Sequence, residues 1–359
     1  MADRRVRRFI GGVMALAVVT AGLSACGGDD DGAAGTEKIV FDSWGGDFQK
    51  SQTELLFTPF EAESKIDVVE LSDGENIYAK VKSQAGQEAG EIDMVHGDAS
   101  WLMRGRKDNL WAKIDYSALP ADQVYEDARD EYGVGILYWS FNIVYNPAKF
   151  AGEAPDTWAD VWDYAIRNPK RVAMWSARPN YVIEAALMAA GVQPGAVYPL
   201  TDQKIDQAYA KLDEIKDKVA WYESGAQGGR LFEQGQVDIG LYYGGDAFSL
   251  KIDGKAPTVV WDQGLYTRDY WLIPANAPHK QQALQLLNFA LQPQRQAQFA
   301  DRTGYGPVAP AAVDQISAAT QARLTSVEPN KSRQLSYDYR WWGENDDVQL
   351  QRWTKWLRG

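Results

Sequence analysis

The chain has 359 residues, with 49 Asp and Glu against 37 Lys and Arg, one cysteine and two histidines. A net charge of −12 is a poor match for nucleic acid or an anionic membrane surface and a suitable one for cations. The lone Cys26 excludes an intrachain disulfide, and with only His96 and His279 beside it neither a metal centre nor another cofactor is expected.

Arg4, Arg5, Arg7 and Arg8 precede an apolar run that closes on small residues before Cys26, the layout of an export signal rather than of a membrane-spanning helix. Leu23-Ser24-Ala25-Cys26 resembles the lipobox of bacterial lipoproteins. That resemblance implies removal of residues 1–25, acylation of Cys26 and an extracytoplasmic, membrane-anchored product. Arg7-Arg8-Phe9-Ile10 also resembles a twin-arginine signal, and the export route stays open. Without residues 1–25, which carry four arginines and Asp3, the balance is −15. Residues 26–37, rich in Gly and Asp, read as a flexible tether. The remainder exceeds the usual size of one core, so two lobes are expected.

Beyond the tether, strand and helix patterns alternate. Lys38 to Asp42 predicts a strand, and about Gln49 to Ser64 a helix with Leu55, Leu56 and Phe60 on one face. Ile66 to Leu71 predicts a second strand, Asn76 to Gln84 a helix and Ile92 to Val95 a third strand. This βαβαβ order predicts a largely parallel sheet with helices on both faces and binding groups at the strand C-termini. Ile136 to Tyr145 is a β-branched and aromatic run stopped by Asn146-Pro147. Helices follow at Trp158 to Trp162, Ile183 to Ala190 and Ile205 to Ile215, then a strand at Val237 to Tyr243. Val259 to Trp261 and Tyr270 to Ile273 predict two further strands, and Lys280 to Leu291 a helix ended by Pro293.

Several pieces share this order with one known family: Phe41-Asp42-Ser43-Trp44-Gly45-Gly46, Tyr78-Ala79-Lys80-Val81-Lys82, Thr157-Trp158-Ala159-Asp160-Val161-Trp162, Gly240-Leu241-Tyr242-Tyr243-Gly244-Gly245-Asp246 and Leu272-Ile273-Pro274-Ala275-Asn276-Ala277. Over roughly residues 38–315 the chain resembles the extracellular solute-binding proteins of ABC importers, in particular their polyamine-type branch. The resemblance implies an α/β, two-lobed periplasmic-binding-protein-like (type II) fold with a ligand cleft between lobes, which closes on the ligand. Lobe one would comprise 38–142 plus 268–359 with the C-terminal helices, and lobe two 143–267. Crossings would lie near Phe141 to Tyr145 and Gly264 to Asp269. The tail with Trp341, Trp342, Trp353 and Trp356 would pack as helices across the back.

The same resemblance implies a site. Trp44 would place an aromatic face against the ligand, with Asp47 either touching it or favouring the helix N-terminus. Asp98 and Ser100 would supply polar contacts at the switch point. Tyr243 would stack on an alkyl chain and Asp269 bind an ammonium group, since a carboxylate among aromatic faces suits an alkylammonium. Asp246 would add a second acid or cap a helix, and Tyr305 would reach back to the cleft. The departure from the polyamine pattern is Trp175-Ser176-Ala177-Arg178-Pro179-Asn180-Tyr181, where those binders carry acids. A guanidinium at Arg178 suits a carboxylate rather than a second ammonium, so a zwitterion such as an ω-amino acid stands beside the diamine.

The expected partners are a small amine or zwitterion, permease subunits, and a membrane through the lipid, with the chain itself monomeric. A sugar would use the aromatic residues equally well. A glycosidase needs paired catalytic carboxylates, but no Gly-x-Ser-x-Gly or His-Glu-x-x-His motif is present, and no enzyme activity is expected.

Overall fold

The computed structural model describes residues 37–359 except 121, 122, 151 and 153; the export signal, Cys26 and most of the tether lie outside the described residues. Strand β1 (Lys38–Asp42) buries Ile39 and Phe41 completely. Gly45 and Gly46, at φ 78 and 61, then turn the chain into α1 (Gly46–Gln52), a left-handed conformation that costs glycine little. One π-helical turn, Thr53–Phe57, joins α1 to α2 (Thr58–Ser64). Then come β2 (Asp67–Leu71), α3 (Ile77–Ser83), β3 (Met94–Asp98) and α4 (Ala99–Lys107). Strands β1, β2 and β3 pair in parallel, as the βαβαβ order predicts.

Strand β4 (Arg129–Asp130) turns into β5 (Gly133–Tyr145), all of whose residues are buried. Helix α5 (Trp158–Arg167) starts at a capping box of Thr157 and Asp160, which satisfies its first N–H groups. There follow β6 (Val172–Trp175), α6 (Val182–Ala189), α7 (Asp202–Asp213), β7 (Ala220–Tyr222), α8 (Gly225–Glu233), β8 (Ile239–Tyr243) and α9 (Gly244–Ala247). The long β9 (Thr258–Leu272) is followed by α10 (Lys280–Ala290), α11 (Pro293–Thr303), β10 (Gly306–Pro307), α12 (Pro310–Val313), α13 (Ala318–Gln321), β11 (Leu335–Ser336) and α14 (Tyr339–Arg358).

The main path of the sheet is β2-β1-β3-β9-β5-β8-β6-β7. Two α/β halves flank a central antiparallel pair, β5 and β9, that belongs to both. At the changeover β5 steps from Phe141 to Ile143 while its partner jumps from Leu265 to Val260, leaving residues 261–264 bulged out. Bulges re-aim strands in this way. The two strands predicted at Val259 to Trp261 and Tyr270 to Ile273 are the ends of this single β9. Its middle carries Asp262, Gln263, Gly264, Arg268 and Asp269, which interrupt the apolar pattern.

The C-terminal tail holds the short α13 and the 20-residue α14, which carries all four of its tryptophans. Trp342 and Trp353 are fully buried in it. Their indole N–H groups donate to Glu184 Oε1 at 2.6 Å and to the Ser176 carbonyl at 2.8 Å, and Gly343 lies against Met103 of α4. The helix thus fastens residues of both halves. Among the described residues no helix is long and apolar enough to cross a membrane.

Candidate ligand-binding site

The register of the central strands assembles one face. Asp98 of β3 stands opposite Asp269 of β9, and His96 opposite Trp271. On the other side Leu137 of β5 is opposite Asp269, and Phe141 is opposite Tyr243 of β8. Period two puts Trp139 between Leu137 and Phe141 on that same face.

Asp269 is buried and held by two ring nitrogens: the Trp139 indole N–H reaches Oδ1 at 2.7 Å, and His96 Nε2 lies 3.0 Å from Oδ2. A carboxylate has about four acceptor sites, so capacity remains for a ligand donor. Asp98 caps α4 by accepting the Ser100 N–H at 2.6 Å. Burial, reinforced by the charge of Asp269, pushes its carboxyl up to about 6 against the lowering effect of that cap.

Aromatic rings wall this acid pair. Tyr243 lies 4.3 Å from Phe141 and 5.5 Å from Trp139 between ring centres, and Tyr181 lies 5.4 Å from Trp139. The Tyr181 hydroxyl is buried without a partner, and its backbone sits at φ 69. Trp44 packs on Trp101 at 5.0 Å and faces His96 at 6.2 Å. Phe48 bridges His96, at 5.0 Å, and Tyr305, at 5.6 Å. The two halves meet at this point, because a Cβ on Gly245 would lie 3.0 Å from the Gly304 carbonyl oxygen.

The Tyr305 hydroxyl donates to Asp246 Oδ1 at 2.9 Å. Burial raises the Asp246 carboxyl above its ordinary value, and this hydrogen bond opposes the rise. Asp246 does not cap α9, whose N-cap position is Tyr243. Arg178, in the loop between β6 and α6, bonds Asp346 of α14 through Nη1 at 2.8 Å and lies 3.7 Å from Glu75. Asp346 also receives Arg104 of α4 at 3.2 Å. The positive field of Arg178 opposes, without reversing, the rise of the Asp98 carboxyl.

The structure therefore brings Trp44, Asp98, Ser100, Tyr243, Asp246, Asp269 and Tyr305 around one junction of the halves, with Arg178 at its edge. Asp47 stands apart, exposed in the first turn of α1. His96, Trp139, Tyr181 and Asp346 also belong to this surround and were not singled out from sequence. The strand alternation that pairs His96 with Asp98 and Trp139 with Phe141 is the signal that points to the first two. Among the described residues, no group of three or more His, Cys, Asp or Glu side chains is placed to hold a metal ion.

Comparison with known proteins agrees with this architecture. Residues 56–325 match the family described as bacterial extracellular solute-binding protein, and the chain belongs to that family. A gamma-aminobutyric acid-binding protein of Pseudomonas aeruginosa is 29% identical over 90% of this chain and 92% of its own. The spermidine/putrescine-binding periplasmic protein of Escherichia coli is 26% identical over 82% of each chain. A solved ABC transporter substrate-binding protein from Bradyrhizobium japonicum superposes with a TM-score of 0.82 at 30% identity, covering 89% of this chain and 99% of that one. The chain is thus a two-lobed substrate-binding protein of an ABC transporter, which takes a small-molecule ligand and presents it to permease subunits, and it is not an enzyme.

Proposed function

We propose that this protein captures a short ω-amino acid of the 4-aminobutanoate kind, its ammonium group on Asp269 and its carboxylate on Arg178. The observation that carries the reading is the presence of opposite signs around one junction: a carboxylate held by the Trp139 indole N–H and the His96 ring, and a guanidinium that bonds Asp346 through Nη1 and has further N–H donors to offer. A guanidinium fork suits a carboxylate, and Tyr243 and Trp139 offer π faces to the methylenes and the cationic end. The relative named for gamma-aminobutyric acid also aligns over more of this chain than the polyamine relative does.

A diamine is the second reading, favoured by the excess of acids: Asp98, Asp246 and Asp269 outnumber Arg178, which Asp346 partly neutralises. In either reading the cleft lies between lobes divided at 142/143 and 267/268, and lipid on Cys26 tethers the monomer beside its permease. Calorimetry of the mature chain tests the ligand: 4-aminobutanoate should bind at least ~10-fold more tightly than putrescine, about 1.4 kcal/mol. The reverse order would replace the zwitterion with the diamine. Incorporation of labelled fatty acid into the parent and not into Cys26→Ala tests the anchor.

A further inference from the structure

A chain of hydrogen bonds reaches Asp269 from the interior of the N-terminal half. The Ser43 hydroxyl donates to Gln52 Oε1 at 2.6 Å, and the Gln52 amide nitrogen lies 3.1 Å from His96 Nδ1. The indole N–H of Trp271, directly opposite on the ladder, reaches the same Nδ1 at 3.0 Å. His96 Nε2 then faces Asp269 Oδ2 at 3.0 Å. Ser43, His96 and Trp271 are completely buried and Gln52 nearly so.

This arrangement fixes a tautomer. An indole nitrogen donates and never accepts, so Nδ1 of His96 must present its lone pair to Trp271. The ring hydrogen is then on Nε2, where it donates to Asp269. An Nδ1–H ring would set donor against donor at Trp271 and leave two lone-pair-bearing atoms, Nε2 and Oδ2, facing each other. Gln52 can rotate its amide to suit either tautomer; Trp271 cannot.

We propose that His96 is the positioning residue for the ligand's ammonium site: its Nε2–H, with the Trp139 N–H on the other oxygen, fixes the plane of the Asp269 carboxylate and leaves its remaining lone pairs aimed at the cleft. The inference rests on the reading of Asp269 as the ammonium acceptor. Both donors are uncharged, so they orient the anion without cancelling its charge. A lysine or arginine in either place would have competed with the ligand. The rings of Phe48 and Trp44 pack beside His96, which is completely buried, so it would act on a ligand through Asp269.

The test combines a spectroscopic measurement with two variants. In 15N spectra of the histidine-labelled mature protein without ligand, Nε2 of His96 should appear protonated and Nδ1 unprotonated; Trp271→Phe should release this preference and let the two signals move toward each other. With 4-aminobutanoate and putrescine as probes, His96→Phe should weaken whichever binds the parent by roughly 10-fold or more. His96→Gln, whose amide nitrogen lies close to the position of Nε2, should hold affinity within about 3-fold, a rescue that a merely space-filling role does not give. An Nδ1–H tautomer in the parent, or unchanged affinity in a folded His96→Phe, overturns the proposal. Failure of both probes to bind the parent defeats the ligand reading and leaves the tautomer measurement to decide the relay.

Discussion

Asp98 and Asp269 face each other across the β3–β9 ladder, where the charge of Asp269 raises the cost of ionising Asp98. They differ in what holds them. Asp269 has the two N–H donors of Trp139 and His96, whereas Asp98 has the helix cap at Ser100. A cation bound at this pair, as proposed above, would relieve that repulsion.

Replacing Asp98 by Asn should stabilise the protein near neutral pH. The Asp98 carboxyl stands at about 6 when folded, against an ordinary 3.8, so between those values the folded state binds the additional proton. Stability accordingly falls as pH rises through this window and is level above it. Asn keeps the N-cap acceptor and removes the charge, for a gain on the order of 1–3 kcal/mol at pH 7. Denaturant melts at pH 4 and pH 7 check it: the gain should vanish at pH 4. A gain equal at both pH values would refute the account.

Asp269→Asn should lose both affinity and some stability. The amide keeps one acceptor oxygen, so its NH2 must face either the Trp139 indole or the His96 ring nitrogen, donor against donor. Loss of the charged hydrogen bond should weaken ammonium binding by about 1.5–3 kcal/mol. Calorimetry reads the affinity and a melting curve reads the misfit. Full affinity in this variant, for any ligand that binds the parent, would move the ammonium site to another acid.

Much of this architecture was legible in the sequence because period counting suffices for elements such as β1, with Ile39 and Phe41 inward, or α10 and its buried Leu286 and Leu287. Strand β9 was not legible as a single element, since its crossing segment bulges and carries polar residues. Strands β6 and β7 were missed because four and three residues are too short to establish a period. The acids Asp98 and Asp269 stand out by type and place, but His96 and Trp139 matter only through a register that pairing across the sheet creates. Asp346 reaches Arg178 over 168 positions of sequence, a distance across which no local pattern operates.

Gly343→Ala should loosen the seat of α14. A Cβ at this position would lie 2.4 Å from Met103 Cβ and 3.3 Å from the Ser100 carbonyl oxygen, so either α14 or α4 must shift. Overpacking of this kind costs about 1–3 kcal/mol, which thermal melting measures. No change in melting temperature would mean that the two helices slide apart freely.

Ligand should tighten the whole molecule if the halves close upon it. A ligand that bridges both halves shifts the equilibrium only by its differential affinity for the closed state, and at 100 times its dissociation constant it adds about 2.7 kcal/mol to stability. Small-angle scattering with saturating 4-aminobutanoate or putrescine should show a smaller radius of gyration alongside the higher melting temperature. Superimposable profiles would show that binding does not need closure.

If Arg178 receives the ligand's second charge, its pairing with Asp346 sets how strongly it does so. Arg178→Ala removes the guanidinium and should weaken a zwitterion by about 1.5–3 kcal/mol, while leaving a diamine unaffected or better bound, because repulsion of its second ammonium is relieved. Asp346→Ala acts in the opposite sense. Its carboxylate is almost wholly buried between Arg104 and Arg178, so its loss leaves two poorly compensated cations and should cost roughly 2–4 kcal/mol of stability, near the range for breaking a buried ion pair. The freed Arg178 then has its full charge for a ligand carboxylate. Relative affinity for 4-aminobutanoate over putrescine should therefore rise in Asp346→Ala and fall in Arg178→Ala. Movement of both ratios in the same direction would show that Arg178 works only as a strut for α14.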